Sequence, residues 1–153
     1  MKTSIIAIVA SVLFSIGNVF ASTGSNIYKN VTIDKQSGTQ ETITYKGENE
    51  KHLTPLKRYF DINDQSGNTV ERVISKWNET SNKWENEAKY IYLYNPDNQV
   101  MAIAYTKWKK SSEQWENNTA YTVYERNPED NSLSINYVKI DNSIPTNSFV
   151  TQR

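Results

Sequence analysis

The sequence predicts an all-β fold: an antiparallel meander of about seven to eight strands built from degenerate hairpin repeats. Three observations carry this. Stretches rich in Val, Ile, Thr, Tyr and Trp alternate with clusters of Asn, Asp, Gly, Ser and Pro, the pattern of strands and turns. No convincing helical period appears after the first twenty or so residues. The phrase from Trp77 to Asn86 recurs from Trp108 to Asn117 at a constant offset of 31 residues, and the two copies hold all four tryptophans. A fixed period of this size marks a duplicated supersecondary unit.

The N-terminus reads as a leader. Lys2 is a positive start, Ile5 to Ile16 is an apolar run interrupted by serines, and Val19-Phe20-Ala21 places small residues where a signal peptidase reads. Cleavage is expected between Ala21 and Ser22. The run is short beside the ~20 residues of a bilayer span. A signal peptide over 1–21 and a single all-β domain over 22–153 follow as the expected organisation, with no membrane span after leader removal. The chain has no cysteine, so it cannot carry a lipid on an N-terminal cysteine. An exported protein, periplasmic or extracellular and not a lipoprotein, is expected.

Strands are predicted over 29–35, 40–46, 57–63, 69–77, 84–94, 99–109, 115–126 and 132–140. Their connections are short, and short connections join antiparallel neighbours. Residues 47–56, with Pro55 and the only histidine, are the least regular link. The repeat core spans 57–140, and the polar tail 141–153 is expected to be loose. Each repeat brings a strand to its first Trp, crosses a polar loop, opens the return strand at its second Trp and closes on an Asn-Pro acidic turn. Asn95 and Asn127 correspond at an offset of 32, so one residue has been added after Tyr121, which suggests a bulge. With Asn95 to Asn98 as a four-residue loop, Tyr92 faces Met101 and Tyr90 faces Ile103. One hairpin face then carries Tyr90, Tyr92, Tyr94, Met101, Ile103 and Tyr105. The other carries Ile91, Leu93, Val100, Ala102 and Ala104. Both are apolar enough to seek cover, which favours a curled sheet or a two-layer sandwich or barrel.

Leader removal leaves 132 of the 153 residues, enough for one domain with its own core. It also takes Lys2, leaving 16 basic against 17 acidic groups. A charge near −1 gives no reason to expect nucleic acid or an anionic membrane as partner. Asn-x-Ser/Thr matches at Asn30, Asn78 and Asn117 are ordinary in so Asn-rich a chain and bear on function only along a eukaryotic secretory route.

Catalytic chemistry is poorly provided for. His52 is the only histidine and lies in a polar link beside Lys51, so a Ser-His-acid triad has one weak candidate base. A zinc site built from His and Cys is effectively excluded. The acids Glu85, Glu87, Glu116 and Asp97 are the candidates for paired-carboxylate hydrolysis. Glu85 and Glu116 are repeat equivalents beside the second Trp of each copy, which argues for a structural role. Asn63 to Gly67 has oxygen side chains and a glycine but lacks the spacing of a calcium loop; turns select the same residues on backbone grounds. No catalytic residue, metal or cofactor is expected.

The aromatic residues remain. Trp77, Trp84, Trp108 and Trp115, with Tyr92 and Tyr121, are the candidate ligand-binding residues, since indole faces beside Asn and Glu groups suit sugars or peptides. The competing reading is a clasp in which each Trp pair packs across its own hairpin and fixes its register. The two are compatible.

The leader, the cysteine-free chain and the motif Trp77-Asn78 … Lys83-Trp84, followed by Tyr90, Tyr92, Tyr94 and Asn95, resemble a group of small exported proteins of Bacteroides-type gut bacteria forming a domain of unknown function. The resemblance covers about Tyr59 to Ile140. It implies an exported antiparallel β-protein and no particular substrate. Lys109 replaces Asn78 in the second copy, so that position is not a shared ligand. The function expected is non-enzymatic binding or interaction at the cell envelope through an aromatic surface, with a glycan or an envelope or secreted protein as partner. The alternatives are a purely structural β-repeat protein with no small ligand, or a hydrolase of glycans or peptides. An exposed sheet edge also offers a surface for pairing two copies.

Overall fold

The computed structural model describes residues 10–16 and 26–142. They form nine strands: β1 Ala10–Ile16, β2 Asn26–Asp34, β3 Thr39–Gly47, β4 Thr54–Asn63, β5 Thr69–Asn78, β6 Lys83–Tyr94, β7 Val100–Lys109, β8 Gln114–Arg126 and β9 Leu133–Asp141. Their hydrogen-bonded order is the chain order, with β1 and β9 at its ends. The meander is therefore an all-β, antiparallel arrangement in one sheet, and the sandwich and barrel alternatives do not apply. β2 to β9 are the eight strands expected from the sequence. β1 is an addition: its residues lie within the expected leader and pair with β2 from Ala10↔Ile33 to Ile16↔Ile27. The expected cleavage point, Ala21-Ser22, and the tail 143–153 lie outside the described residues. No helix among those residues is long and apolar enough to cross a membrane.

The chain divides into two compact units, Met1–Glu87 and Ala88–Arg153, with the boundary inside β6. In the first unit the β3–β4 ladder breaks where proline requires it. Thr44 faces Lys57 and Tyr45 faces Pro55, which leaves Leu56 as the extra residue. Proline has no amide hydrogen for the ladder. The Thr44 hydroxyl fills in, donating to the Lys57 carbonyl and accepting from the Lys57 amide. Arg72 faces Asp61 across β4 and β5. Its Nε and Nη2 donate to the two Asp61 carboxylate oxygens at 2.6 and 2.7 Å. Asp61 is only 3% exposed, so this two-pronged bond supplies the compensation a buried charge needs. Arg58 bonds Glu41 at 2.5 Å and lies over the Phe60 ring.

Two turns of this unit are closed by carboxylates. Asp34 Oδ1 accepts from the amides of Gln36 and Ser37. Asp64 Oδ1 accepts from the amides of Ser66 and Asn68. Gly38 and Gly67 complete these turns with φ of 67° and 85°, a region that glycine enters without steric cost. Hydrogen bonds to the ionised form hold both carboxyls below their ordinary range. Ser37 is the chief cause at Asp34, and the Asn68 amide at Asp64. Asp130, in the second unit, is lowered in the same way by Ser132.

In the second unit Tyr90, Tyr92, Ile103 and Tyr105 share one face and Ile91, Leu93, Ala102 and Ala104 the other, as the sequence predicts, but Tyr94 shares a face with Val100 and the register differs by two residues. Tyr92 faces Ile103, and Tyr90 faces Tyr105. The cause is the turn. Asn95 Oδ1 accepts from the amides of both Asp97 and Gln99, and Asn95 N donates to the Gln99 carbonyl. The loop therefore closes at Gln99 rather than Asn98, and a register shift at Leu93/Tyr94 leaves Met101 as the extra residue. The bulge suggested after Tyr121 is not there: β8 pairs β9 without interruption from Asn118 to Arg126. The irregularity of β8 lies earlier. Thr106 faces Thr119 while Trp108 faces Trp115, so three residues, Glu116 to Asn118, oppose the single Lys107.

Burial is shallow. Among the described residues the buried apolar side chains are Tyr28, Ala88, Ala102 and Ala104, and no large side chain is fully buried. The hairpin faces are covered in part: Ala102 and Ala104 are buried, whereas Leu93 is 52% and Met101 48% exposed.

Two outcomes follow. The lowered carboxyls of Asp34, Asp64 and Asp130 contribute stability that is complete above their unfolded value near 3.8 and lost as pH falls through their folded values. Urea midpoints should therefore drop between pH 5 and pH 2, and Asp64→Asn should flatten that drop. Asp61→Ala removes charge-assisted bonds at a buried position, and equilibrium denaturation should register a loss of about 2–3 kcal/mol.

Candidate functional site

Both tryptophan pairs are clasps. Trp77 and Trp84 meet edge to face with ring centroids 5.1 Å apart, and Trp108 and Trp115 do so at 4.9 Å. The loop between each pair turns through a left-handed residue at an equivalent position, Asn82 with φ 51° and Glu113 with φ 49°. All four indoles are half-buried. Facing aromatics of this geometry add about 0.5–1.5 kcal/mol beyond their area.

The repeats then diverge. In the first, Ser75 Oγ donates to Asn86 Oδ1, and Asn78 Nδ2 donates to Glu85. The equivalents in the second are Thr106 and Asn117, and Lys109 and Glu116. Here the three-residue bulge moves Asn117 away, and Thr106 shares a hydroxyl contact with Thr119 at 3.2 Å instead. The displaced residues line a groove of about 430 Å³ formed by Lys109, Ser112, Gln114, Trp115, Glu116, Asn117, Asn118 and Asp141. Lys89 Nζ sits 5.2 Å from the centre of the Trp115 ring, a cation–π contact that steadies the indole. Amides, a lysine, two carboxylates and an indole edge thus converge on one shallow cleft of the second unit. The carboxylates come from different strands, Glu116 from β8 and Asp141 from β9.

Of the aromatic residues singled out in the sequence, only Trp115 lines this groove. Strand alternation places Trp108, Trp115 and Tyr121 on one face of the second unit and Tyr92 on the other, where Tyr90 lies against Tyr92 and Tyr105. Trp77 and Trp84 belong to the first unit, beside the surface ion pair Lys46–Glu79. Gln114, Asn117, Asn118, Lys89 and Asp141 escape sequence reasoning, because nothing in the repeat period foretells the bulge that gathers them.

The remaining candidates are in structural settings. His52 is exposed, with Nδ1 3.4 Å from Asn49 Oδ1. Glu87 pairs with Lys57 at 2.9 Å. Asp97 is exposed in the Asn95 turn. Asp64 spends its oxygens on its own turn. Among the described residues no three His, Cys, Asp or Glu side chains are grouped to hold a metal ion.

Fold and cleft define a small antiparallel β-meander protein with a polar, indole-edged groove. A family model described as a family of unknown function, DUF3836, matches residues 1–126, and the chain belongs to this family. The resemblance read from the Trp and Tyr motif thus leads to a family of unknown function with Bacteroides relatives. Three crystal structures are similar. A protein of unknown function from Bacteroides fragilis NCTC 9343 is 16% identical, covering 69% of this chain and 87% of that one, with a TM-score of 0.48. A DUF3836 protein from Bacteroides vulgatus ATCC 8482 is 17% identical with the same coverage and a TM-score of 0.42. Another from Parabacteroides distasonis ATCC 8503 is 14% identical, covering 88% and 93%, with a TM-score of 0.40. No curated protein matches the chain.

The Trp108–Trp115 clasp is testable by a double-mutant cycle. Trp115→Ala should cost about 2–3 kcal/mol, at or below the range for a buried aromatic because the indole is half-exposed. The pair should show a coupling of about 0.5–1.5 kcal/mol in urea denaturation.

Proposed function

We propose that this protein is a non-enzymatic binding module of the cell envelope, exported and then freed of its leader, which takes a glycan into the groove beside Trp115. The observation that carries the reading is the convergence of Gln114, Asn117 and Asn118 with an indole held from beneath by Lys89. Sugars are recognised by this combination: amides and carboxylates exchange hydrogen bonds with hydroxyls, while the C–H groups of the sugar's apolar face pack on an aromatic ring. The groove is mostly polar and open, which suits a hydroxyl-rich chain that stays partly hydrated.

A second reading has its own support. Both indole pairs are engaged in clasps, as a purely structural repeat protein requires. The two readings separate by experiment. Glycan-array screening followed by tryptophan-fluorescence titration should find a saccharide whose binding shifts the emission. Asn117→Ala and Gln114→Ala should weaken it by at least about tenfold, equivalent to 1.4 kcal/mol, without moving the thermal midpoint. Absence of any saccharide response leaves the structural reading standing. Turnover of a bound glycan, abolished in Glu116→Gln, would instead assign the paired acids of the groove a hydrolytic role.

A further inference from the structure

We infer that β9 is a self-pairing edge, through which two copies of this chain join their sheets antiparallel about a two-fold axis at Tyr137. Four features of the strand carry the inference.

The first is position. β9 ends the strand order, pairing only β8 among the described residues. The second is the direction of its backbone groups. At one end of the β8–β9 ladder Asn127 N donates to the Ser132 carbonyl, and at the other Asn142 N donates to the Asn117 carbonyl. The register between is unbroken. Antiparallel ladders alternate hydrogen-bonded and open pairs, so the even residues of β9 bond inward. Leu133, Ile135, Tyr137 and Lys139 therefore turn their N–H and C=O groups outward along the edge.

The third is the lack of protection. Edge strands are ordinarily blunted by charge, proline or bulges. From Leu133 to Val138 this edge has no charge, no proline and no register break. It exposes Leu133 at 50%, Ile135 at 46%, Tyr137 at 79% and Val138 at 48%. A six-residue uncharged stretch of such composition pairs readily with another strand.

The fourth selects the occupant. Outward groups sit only on odd residues, so odd must meet odd. Centring on Tyr137 pairs the whole strand with its copy: Leu133 with Asp141, Ile135 with Lys139 and Tyr137 with Tyr137 of the second copy. No like charges then face each other, whereas centring on Lys139 or on Asp141 would oppose like charges and shorten the overlap. The contact is isologous, so it closes at two copies.

Sedimentation velocity on the full chain, purified from an exporting host and with its N-terminus fixed by mass spectrometry, tests this. The wild type should sediment as a dimer at micromolar concentration. Ile135→Lys sets two lysine–lysine oppositions across the axis and should weaken the dimer by at least about tenfold. Adding Lys139→Glu to Ile135→Lys should restore it. Tyr137→Pro removes an outward donor while sparing the inward bonds to β8, and should also give monomers of unchanged thermal midpoint. A wild type monomeric at 100 micromolar, as an order-of-magnitude upper concentration, overturns the proposal. So does an Ile135→Lys dimer as tight as wild type, or a double variant no tighter than the single.

Discussion

The backbone ladder holds this protein together, and almost everything else follows from how little core accompanies it. The buried apolar side chains among the described residues are one tyrosine and three alanines. Hydrophobic burial, in most folds the largest stabilising contribution, is therefore spread thinly over half-exposed strand faces. Cross-strand pairs become the unit of stabilisation: Asp61 with Arg72, Trp77 with Trp84, Tyr90 with Tyr105, Thr106 with Thr119 and Trp108 with Trp115. Each acts between neighbouring strands, so no one of them serves as a central keystone.

A structure so built must control register, because a slip of one residue turns a strand inside out. The turns and clasps do this together. An Asx acceptor recurs at Asp34, Asp64, Asn95 and Asn127, each taking the amide two residues on. Left-handed corners recur at Gly38, Gly67, Asn82, Asn98, Glu113 and Asn131. An indole pair then pins two of the hairpins from the opposite side of their loops. Where the second repeat breaks register, at Glu116 to Asn118, the strand gains side chains that the ladder no longer occupies. That local departure shapes the groove beside Trp115.

The architecture was legible because strands and turns announce themselves locally. The alternation of β-branched and aromatic residues, and the Asn, Asp and Gly clusters, gave all eight strands from β2 to β9. Equal spacing placed the tryptophan pairs opposite each other. The details that escaped depend on interactions a linear reading does not rank. The Asn95 side chain closes the loop at Gln99, which moves the hairpin register by one, and the extra residue Met101 moves it by a second. The extra residues of β8 are absorbed near Trp115 rather than after Tyr121. The candidate site shares that second difference: Trp115 lines the groove, but Tyr92 lies on the other face of its unit, and no repeat position singles out Gln114 or Asn118. The segment carrying β1 reads as a leader from the sequence and not as a strand, since apolar composition alone does not distinguish the two.

Ladders that join successive strands also dictate how the described sheet yields to load. Traction applied at the two chain ends of an antiparallel meander meets its hydrogen bonds one at a time, in the unzipping direction, not as a block in shear. Strands would come away singly from the extremities, each at a modest pull, with hairpins further in still intact. A ladder of this form would lengthen in small steps and re-form each hairpin locally when the tension is released.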